Sequence, residues 1–250
     1  MGLQMVEPLL SVKDLETRFG SKVVHQNLSL DVPAGQILVL LGGSGTGKSV
    51  LLRALIGLEK ASSGTCMFEG RDLFSLSEAD WTPMRQQIAY VFQGGALFDS
   101  LTVKDNLDYP LREHTRLSLA EREEKIEEIL DRVGLPGSGK LMPSALSGGM
   151  QKRVGLARSL MLDPKLILYD EPTAGLDPAN SRNIADIILS LKEAGKTGVL
   201  VTHDLDLARR VADVVAFIHK GKIAEYETMD TVRTSPPPLI DAYFKGEDVK

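Results

Sequence analysis

The sequence has a single cysteine, a single tryptophan, few aromatic residues (5%), no excess of positive charge and no long apolar run. One thiol, Cys66, excludes an internal disulfide and a cysteine-only metal cage, and the cytoplasm is then the natural compartment. The formal charge of −5 and pI near 5.5 argue against a non-specific nucleic-acid binder, which normally carries a basic stripe. Runs such as Ile37–Leu41 fall far short of the roughly 20 apolar residues that a membrane helix needs. Met1 to Leu10 lacks a basic region leading into a long apolar stretch, so no secretory signal is expected there. What is present is a 250-residue chain long enough to bury a substantial core, with one domain carrying a subdomain as the default.

Short apolar runs alternate with helical patterns. Leu9–Val12, Ile37–Leu41, Ile88–Phe92, Leu166–Tyr169, Val199–Thr202 and Val214–Ile218 read as strands, several continuous enough to be buried on both faces. Lys48–Leu58, Ile184–Leu191 and Leu205–Ala212 read as the helices between them; Ile184, Ile187, Ile188 and Leu191 share one face. The alternation predicts an α/β core with a largely parallel sheet. From Gly94 to about Met161 the pattern changes to a mainly helical insertion, with an acidic amphipathic helix around Glu121–Val133. The first 35 residues and Gly64–Gly70 look like hairpin strands, so a small antiparallel sheet is expected beside the core. Ser235-Pro236-Pro237-Pro238 breaks the chain before a short terminal helix.

Three motifs carry chemistry. Gly42-Gly43-Ser44-Gly45-Thr46-Gly47-Lys48-Ser49 fits the phosphate-cradling pattern G-x-x-x-x-G-K-[ST], and it lies between a strand and a helix as that pattern requires. Its glycines let backbone N–H groups turn toward the phosphates, Lys48 brings a charge to the β- and γ-phosphates, and Ser49 offers a hydroxyl to Mg²⁺. Asp170 and Glu171 end the strand Leu166–Tyr169; one carboxylate there can hold Mg²⁺ through water and the next can deprotonate the attacking water. The turn Leu146-Ser147-Gly148-Gly149-Met150 opens a helix and offers bare N–H groups to a second anion. ATP is the expected ligand and its hydrolysis the expected reaction.

These motifs, in this order, resemble the ATP-binding cassette (ABC) ATPases, the motor subunits of ABC transporters, over about Leu9 to Lys245. The resemblance implies a RecA-like P-loop NTPase core (about 9–93 and 162–245) with a small antiparallel β subdomain and a helical subdomain (about 94–161), all one ABC ATPase domain over 9–245. It implies ATP and Mg²⁺ as cofactors and a sandwich of two copies, in which Ser147, Gly148 and Gly149 of one chain cap the nucleotide held by the other; Met150 replaces the family's usual glutamine. Gln93 matches a glutamine that touches Mg²⁺ and water, Asp177 a loop that couples the two sites in trans, His203 a switch histidine at the γ-phosphate, and Phe19 an aromatic that stacks on adenine. Ser49, Gln93 and Asp170 are then the metal-site residues, and Glu171, His203 and Gln93 the catalytic ones. Val50 stands where a second hydroxyl is often found, so one α-phosphate contact is expected to be absent.

Within the insertion, Gln93-Gly94-Gly95-Ala96-Leu97-Phe98, Tyr109–Thr115, Leu141-Met142-Pro143 and Met150 with Lys152-Arg153 resemble the lipid-asymmetry (Mla) ATPases, which work with Mce-type lipid-binding proteins. That implies membrane permease subunits and an Mce-type protein as partners, no nucleic acid, and a peripheral position on the cytoplasmic face of the inner membrane. Phe98, Leu101 and Tyr109 are expected to grip the permease. An ATPase for another importer, such as one for amino acids, and a soluble ABC protein outside transport are the alternatives. The spacing of Lys48 and Ser147 leaves no room for the long coiled coil of the DNA-repair type.

Overall fold

Five consecutive apolar residues, Ile37–Leu41, form β3, and every one of them is buried. The computed structural model of the protein describes residues 7–247, and β3 lies inside a six-stranded sheet with β8 (Thr197–Val201) on one side and β9 (Val214–His219) on the other, both parallel to it. Beyond β8 come β7 (Leu166–Asp170) and β6 (Ile88–Val91), also parallel. On the far edge β10 (Lys222–Thr228) pairs antiparallel with β9.

Side chains alternate across this sheet, so β3 feeds two cores. Ile37, Val39 and Leu41 face one cluster while Leu38 and Leu40 face the other; each such burial stabilises by about 1.5–3 kcal/mol. On the second face lie α1 (Lys48–Leu55) and a four-stranded sheet of β1 (Pro8–Phe19), β2 (Lys22–Pro33), β4 (Ser63–Phe68) and β5 (Arg71–Asp72), in the order β2-β1-β4-β5. Its strand pairs are antiparallel. α2 (Glu78–Gln87) adds Trp81 and Met84 to the same core.

The first face carries the helices. α3 (Val103–His114) is capped by the Thr102 side chain, and α4 (Leu119–Arg132) by a full capping box of Ser118 and Glu121, a pattern worth about 1 kcal/mol at each cap. Ile126, Ile129 and Leu130 of α4 pack with Val103, Leu107 and Leu111 of α3. α5 (Gly148–Leu160) joins them. The buried Asn106 side chain holds the preceding loop through Phe98 N–H and the carbonyls of Phe98, Leu101 and Thr102. α6 (Pro178–Glu193) and α7 (Leu205–Val211) cover the rest, followed by α8 (Met229–Thr234) and α9 (Pro238–Phe244).

Element types follow the sequence reading, and several boundaries move. α1 ends at Leu55 rather than Leu58, because Gly57 turns to φ +70° directly against the Trp81 ring. α6 starts six residues earlier than its apolar stripe suggests, since Asp177 caps it and Pro178 occupies its first position. α2 has no counterpart in the sequence reading: Pro83 inside it reads as a breaker, and its apolar face is narrow.

Candidate functional site

β3 delivers the chain into the loop Gly42–Gly47, and α1 begins at Lys48. Gly47 has φ +99°, and a Cβ there would fall 2.6 Å from both His25 Nε2 and Val24 Cγ1, so β2 packs directly on the loop. His25, fully buried, has Nε2 3.2 Å from the Gly47 carbonyl and Nδ1 3.2 Å from Thr17 Oγ1. A carbonyl only accepts, so Nε2 carries the proton and Nδ1 receives the threonine hydroxyl. Burial holds the ring below its ordinary pKa, against the pull of the Gly47 bond.

Lys48 is buried, and its ammonium donates to the carbonyls of Gly42 (2.7 Å) and Gly43 (2.8 Å). Thr46 closes the same turn by donating to Gly43 O at 2.9 Å. Burial pushes the Lys48 amine down, while the charges of Glu171 and Asp170 pull it back up. Ser49 Oγ donates to Asp170 Oδ1 at 2.7 Å, and the Tyr90 hydroxyl donates to Asp170 Oδ2 at 2.7 Å. Burial, then Asp170, raises the Tyr90 phenol, which keeps it a donor.

Glu171 is the first residue past β7 and adopts φ +52°. Its Oε2 accepts the His203 backbone N–H at 3.1 Å, and Oε1 lies 3.4 Å from His203 Nε2. Burial raises its pKa; the His203 N–H and charge, then Lys48, act the other way. A cleft of about 840 Å³ opens over this arrangement, and Ser44, Gly45, Gly47, Lys48 and Ser49 line one side of it. Gln93, Glu171 and His203 line another, and the exposed ring of Phe19 stands at its rim. Val50 lines it too, an aliphatic surface where a hydroxyl would have been a donor.

Ser147, Gly148, Gly149 and Asp177 are absent from that cleft's lining. The Ser147 hydroxyl accepts the Met150 N–H at 3.3 Å and caps α5, with Ser147 and Gly148 exposed. Asp177 accepts the N–H groups of Ala179 (2.9 Å) and Asn180 (3.0 Å) and caps α6; these bonds, led by that of Asn180, lower its pKa. The two caps adjoin: Gly149 packs against the Asn180 side chain, which itself donates to Asp177 at 2.6 Å. Lys152 of α5 donates to the Ala174 carbonyl. Met150 is half-buried on the helical core. A carboxylate and an N–H-rich turn thus stand together on one surface, outside their own chain's cleft.

Ser49 and Gln93 on the cleft, with the buried Asp170 carboxylate behind the Ser49 hydroxyl, form a hard-oxygen donor set that fits Mg²⁺. Among the described residues no group of three or more His, Cys, Asp or Glu could hold a metal by itself. That agrees with the habit of Mg²⁺ to use one or two carboxylates and complete its shell with phosphate oxygens.

A second, smaller cleft of about 230 Å³ lies beyond Gln93, with Phe98 and Tyr109 at its edge and Tyr90 and Gly155 in its lining. The Phe98 and Tyr109 rings are more than 40% exposed and 5.3 Å apart; the Arg158 guanidinium lies 5.2 Å over Phe98 and that of Arg112 5.7 Å over Tyr109. Leu101, grouped with them from the sequence, is half-buried. His25, Thr17 and Tyr90 were not flagged by the sequence. The only local signal was the apolar strand context of Tyr90.

The ABC transporter family model matches residues 25–174. The chain is 38% identical over 241 residues to the probable ribonucleotide transport ATP-binding protein mkl of Mycobacterium leprae, covering 96% of this chain and 70% of that protein. It is 36% identical over 244 residues to MlaF, the intermembrane phospholipid transport system ATP-binding protein of Escherichia coli K12, covering 97% and 91%. It is also 39% identical over 235 residues to the methionine import ATP-binding protein MetN of Rhizobium johnstonii, covering 94% and 65%. Among solved structures, the dimeric ATP-binding cassette MJ0796 in a post-hydrolysis state with ADP and Pi superposes with a TM-score of 0.81 at 30% identity, covering 88% of this chain and 98% of that one.

Proposed function

Because the chain belongs to the ABC transporter ATP-binding family, and is therefore an ATPase that drives a transporter, we propose that its cargo is phospholipid or a related lipid and that it works with Mce-type partners. The near full-length likeness to MlaF carries the lipid reading. The sequence Gln93–Phe98 and the Met150, Lys152, Arg153 combination support it.

In the motor itself, Lys48 and the N–H groups of Gly42–Gly47 hold the β- and γ-phosphates, and Phe19 stacks on the base. Ser49, Asp170 and Gln93 would hold Mg²⁺, which would supply charge neutralisation at the phosphates. Glu171 takes the proton of the attacking water, standing at the end of β7 beside the cleft with its carboxylate held by the His203 N–H. The His203 N–H fixes one of its oxygens and the His203 ring faces the other. Ser147, Gly148, Gly149 and Asp177 serve the nucleotide of a second copy, a role that their adjoining caps on one surface support.

Among the described residues no helix is long and apolar enough to cross a membrane. In this reading the chain meets the bilayer through permease subunits at the cytoplasmic face of the inner membrane, as its family membership supports. The exposed Phe98 and Tyr109 rings on the smaller cleft suit a permease helix, since a few buried anchors carry most of such an affinity. The likeness to MetN supports a second reading, an importer of a small solute. Purifying the complex from its own membranes through a tag on this chain separates the two. The lipid reading expects a permease and an Mce-domain protein in the complex, and ATP-dependent transfer of fluorescent phospholipid between vesicles. ATPase stimulation by an amino acid and its binding protein, with no lipid transfer, would overturn it.

A further inference from the structure

The Tyr243 hydroxyl lies 3.1 Å from Nδ1 of His203, forty residues away in sequence. We infer that Tyr243 is a positioning residue of the ATPase site, holding the His203 ring in the orientation that faces Glu171. The inference rests on the role proposed above for His203.

The contact is built, because α9 is fastened at both ends. The Glu225 carboxylate accepts the N–H groups of Leu239 (3.0 Å) and Ile240 (2.9 Å), and Ile240 is fully buried in the helical core. At the other end Arg209 donates to the Phe244 carbonyl at 2.9 Å and lies 4.8 Å over the Phe244 ring. Between these anchors the Tyr243 ring meets Phe217 of β9 edge-on, with centroids 5.6 Å apart. The phenol therefore reaches His203 from a rigid support.

The proton inventory gives the contact a direction. His203 Nε2 stands 3.4 Å from Glu171 Oε1; the tautomer with its hydrogen on that nitrogen turns N–H rather than a lone pair toward the carboxylate and leaves Nδ1 bare. A phenol can fill that bare nitrogen by donating. Burial and then the charge of Glu171 raise the Tyr243 pKa, which keeps that proton in place. The His203 side chain is 55% exposed, so little else restrains its rotation; Tyr243 on one nitrogen and Glu171 on the other fix the plane.

Tyr243→Phe separates this role from packing, since the ring on Phe217 stays and only the hydroxyl goes. In the full chain with Mg-ATP, Tyr243→Phe is expected to melt like the wild type, keep its KM for ATP and lose about tenfold in kcat, as expected for one hydrogen bond that matters in the transition state. Independently of turnover, the ¹⁵N resonance of His203 Nδ1, assigned by its loss in His203→Ala, is expected to move when the phenol is removed. If His203→Ala hydrolyses ATP at the wild-type rate, the site reading itself fails. If His203→Ala is inactive but Tyr243→Phe keeps the wild-type kcat, or leaves the Nδ1 resonance in place, the positioning role alone is overturned.

Discussion

Gly155 of α5 lies against Gly95 so closely that a Cβ on residue 155 would stand 2.6 Å from the Gly95 carbonyl oxygen. The loop that carries Gln93 and the helix capped by Ser147 therefore meet without slack. Arg158, one turn further along α5, fastens the same loop by donating to the Ala96 carbonyl at 2.7 Å.

Gly155→Val should force the loop and helix apart. Overpacking a close contact costs about 1–3 kcal/mol, so the melting temperature falls and ATP turnover falls with it. A variant that melts like the wild type would show that the contact is loose.

Lys48→Ala and Glu171→Gln should separate binding from turnover. The first removes the cation that the loop carbonyls of Gly42 and Gly43 hold in place, and equilibrium binding of a fluorescent ATP analogue should be lost. The second keeps the loop intact and should bind normally while turnover falls by about 10²–10⁴-fold, the usual worth of a positioned base. Near-normal turnover in Glu171→Gln would transfer the base role to His203.

Tyr90→Phe removes one of the two hydroxyls on Asp170. A hydrogen bond to a charged group contributes about 1.5–3 kcal/mol, so the Mg²⁺ concentration giving half-maximal ATPase activity should change while binding of Mg²⁺-free nucleotide stays the same. An unchanged Mg²⁺ dependence would reduce Tyr90 to a packing residue.

His25 makes stability depend on pH. Its folded pKa lies below the ordinary value near 6.5, chiefly through burial, so between the two values the unfolded chain binds more protons than the folded one. Its contribution is fully present above about 6.5 and is lost as pH falls toward the folded value. Thermal melts from neutral to mildly acidic pH should fall more steeply for the wild type than for His25→Gln. Parallel curves would show that His25 does not set the pH dependence.

The buried strands were legible because both faces of a parallel sheet demand apolar side chains, which gives unbroken runs such as Ile37–Leu41 and Leu166–Tyr169. The phosphate loop and the Asp170-Glu171 pair were legible because their chemistry fixes residue types at fixed spacing. Positioning residues lack such a constraint. His25, Tyr90 and Tyr243 act through contacts made 22, 80 and 40 residues away, and only the fold brings their partners near. β10 escaped notice because an edge strand half-open to water shows a polar alternation instead of an apolar run.

In the proposed motor two copies of this chain share each nucleotide, one giving Lys48 and Glu171, the other Ser147, Gly148 and Gly149. Sedimentation velocity of Glu171→Gln with Mg-ATP, beside the double variant that adds Ser147→Arg, tests it directly. Glu171→Gln is expected to sediment as a dimer with Mg-ATP and as a monomer without it, and the double variant to stay monomeric with ATP still bound. A Glu171→Gln protein that stays monomeric at high concentration while saturated with ATP would contradict it.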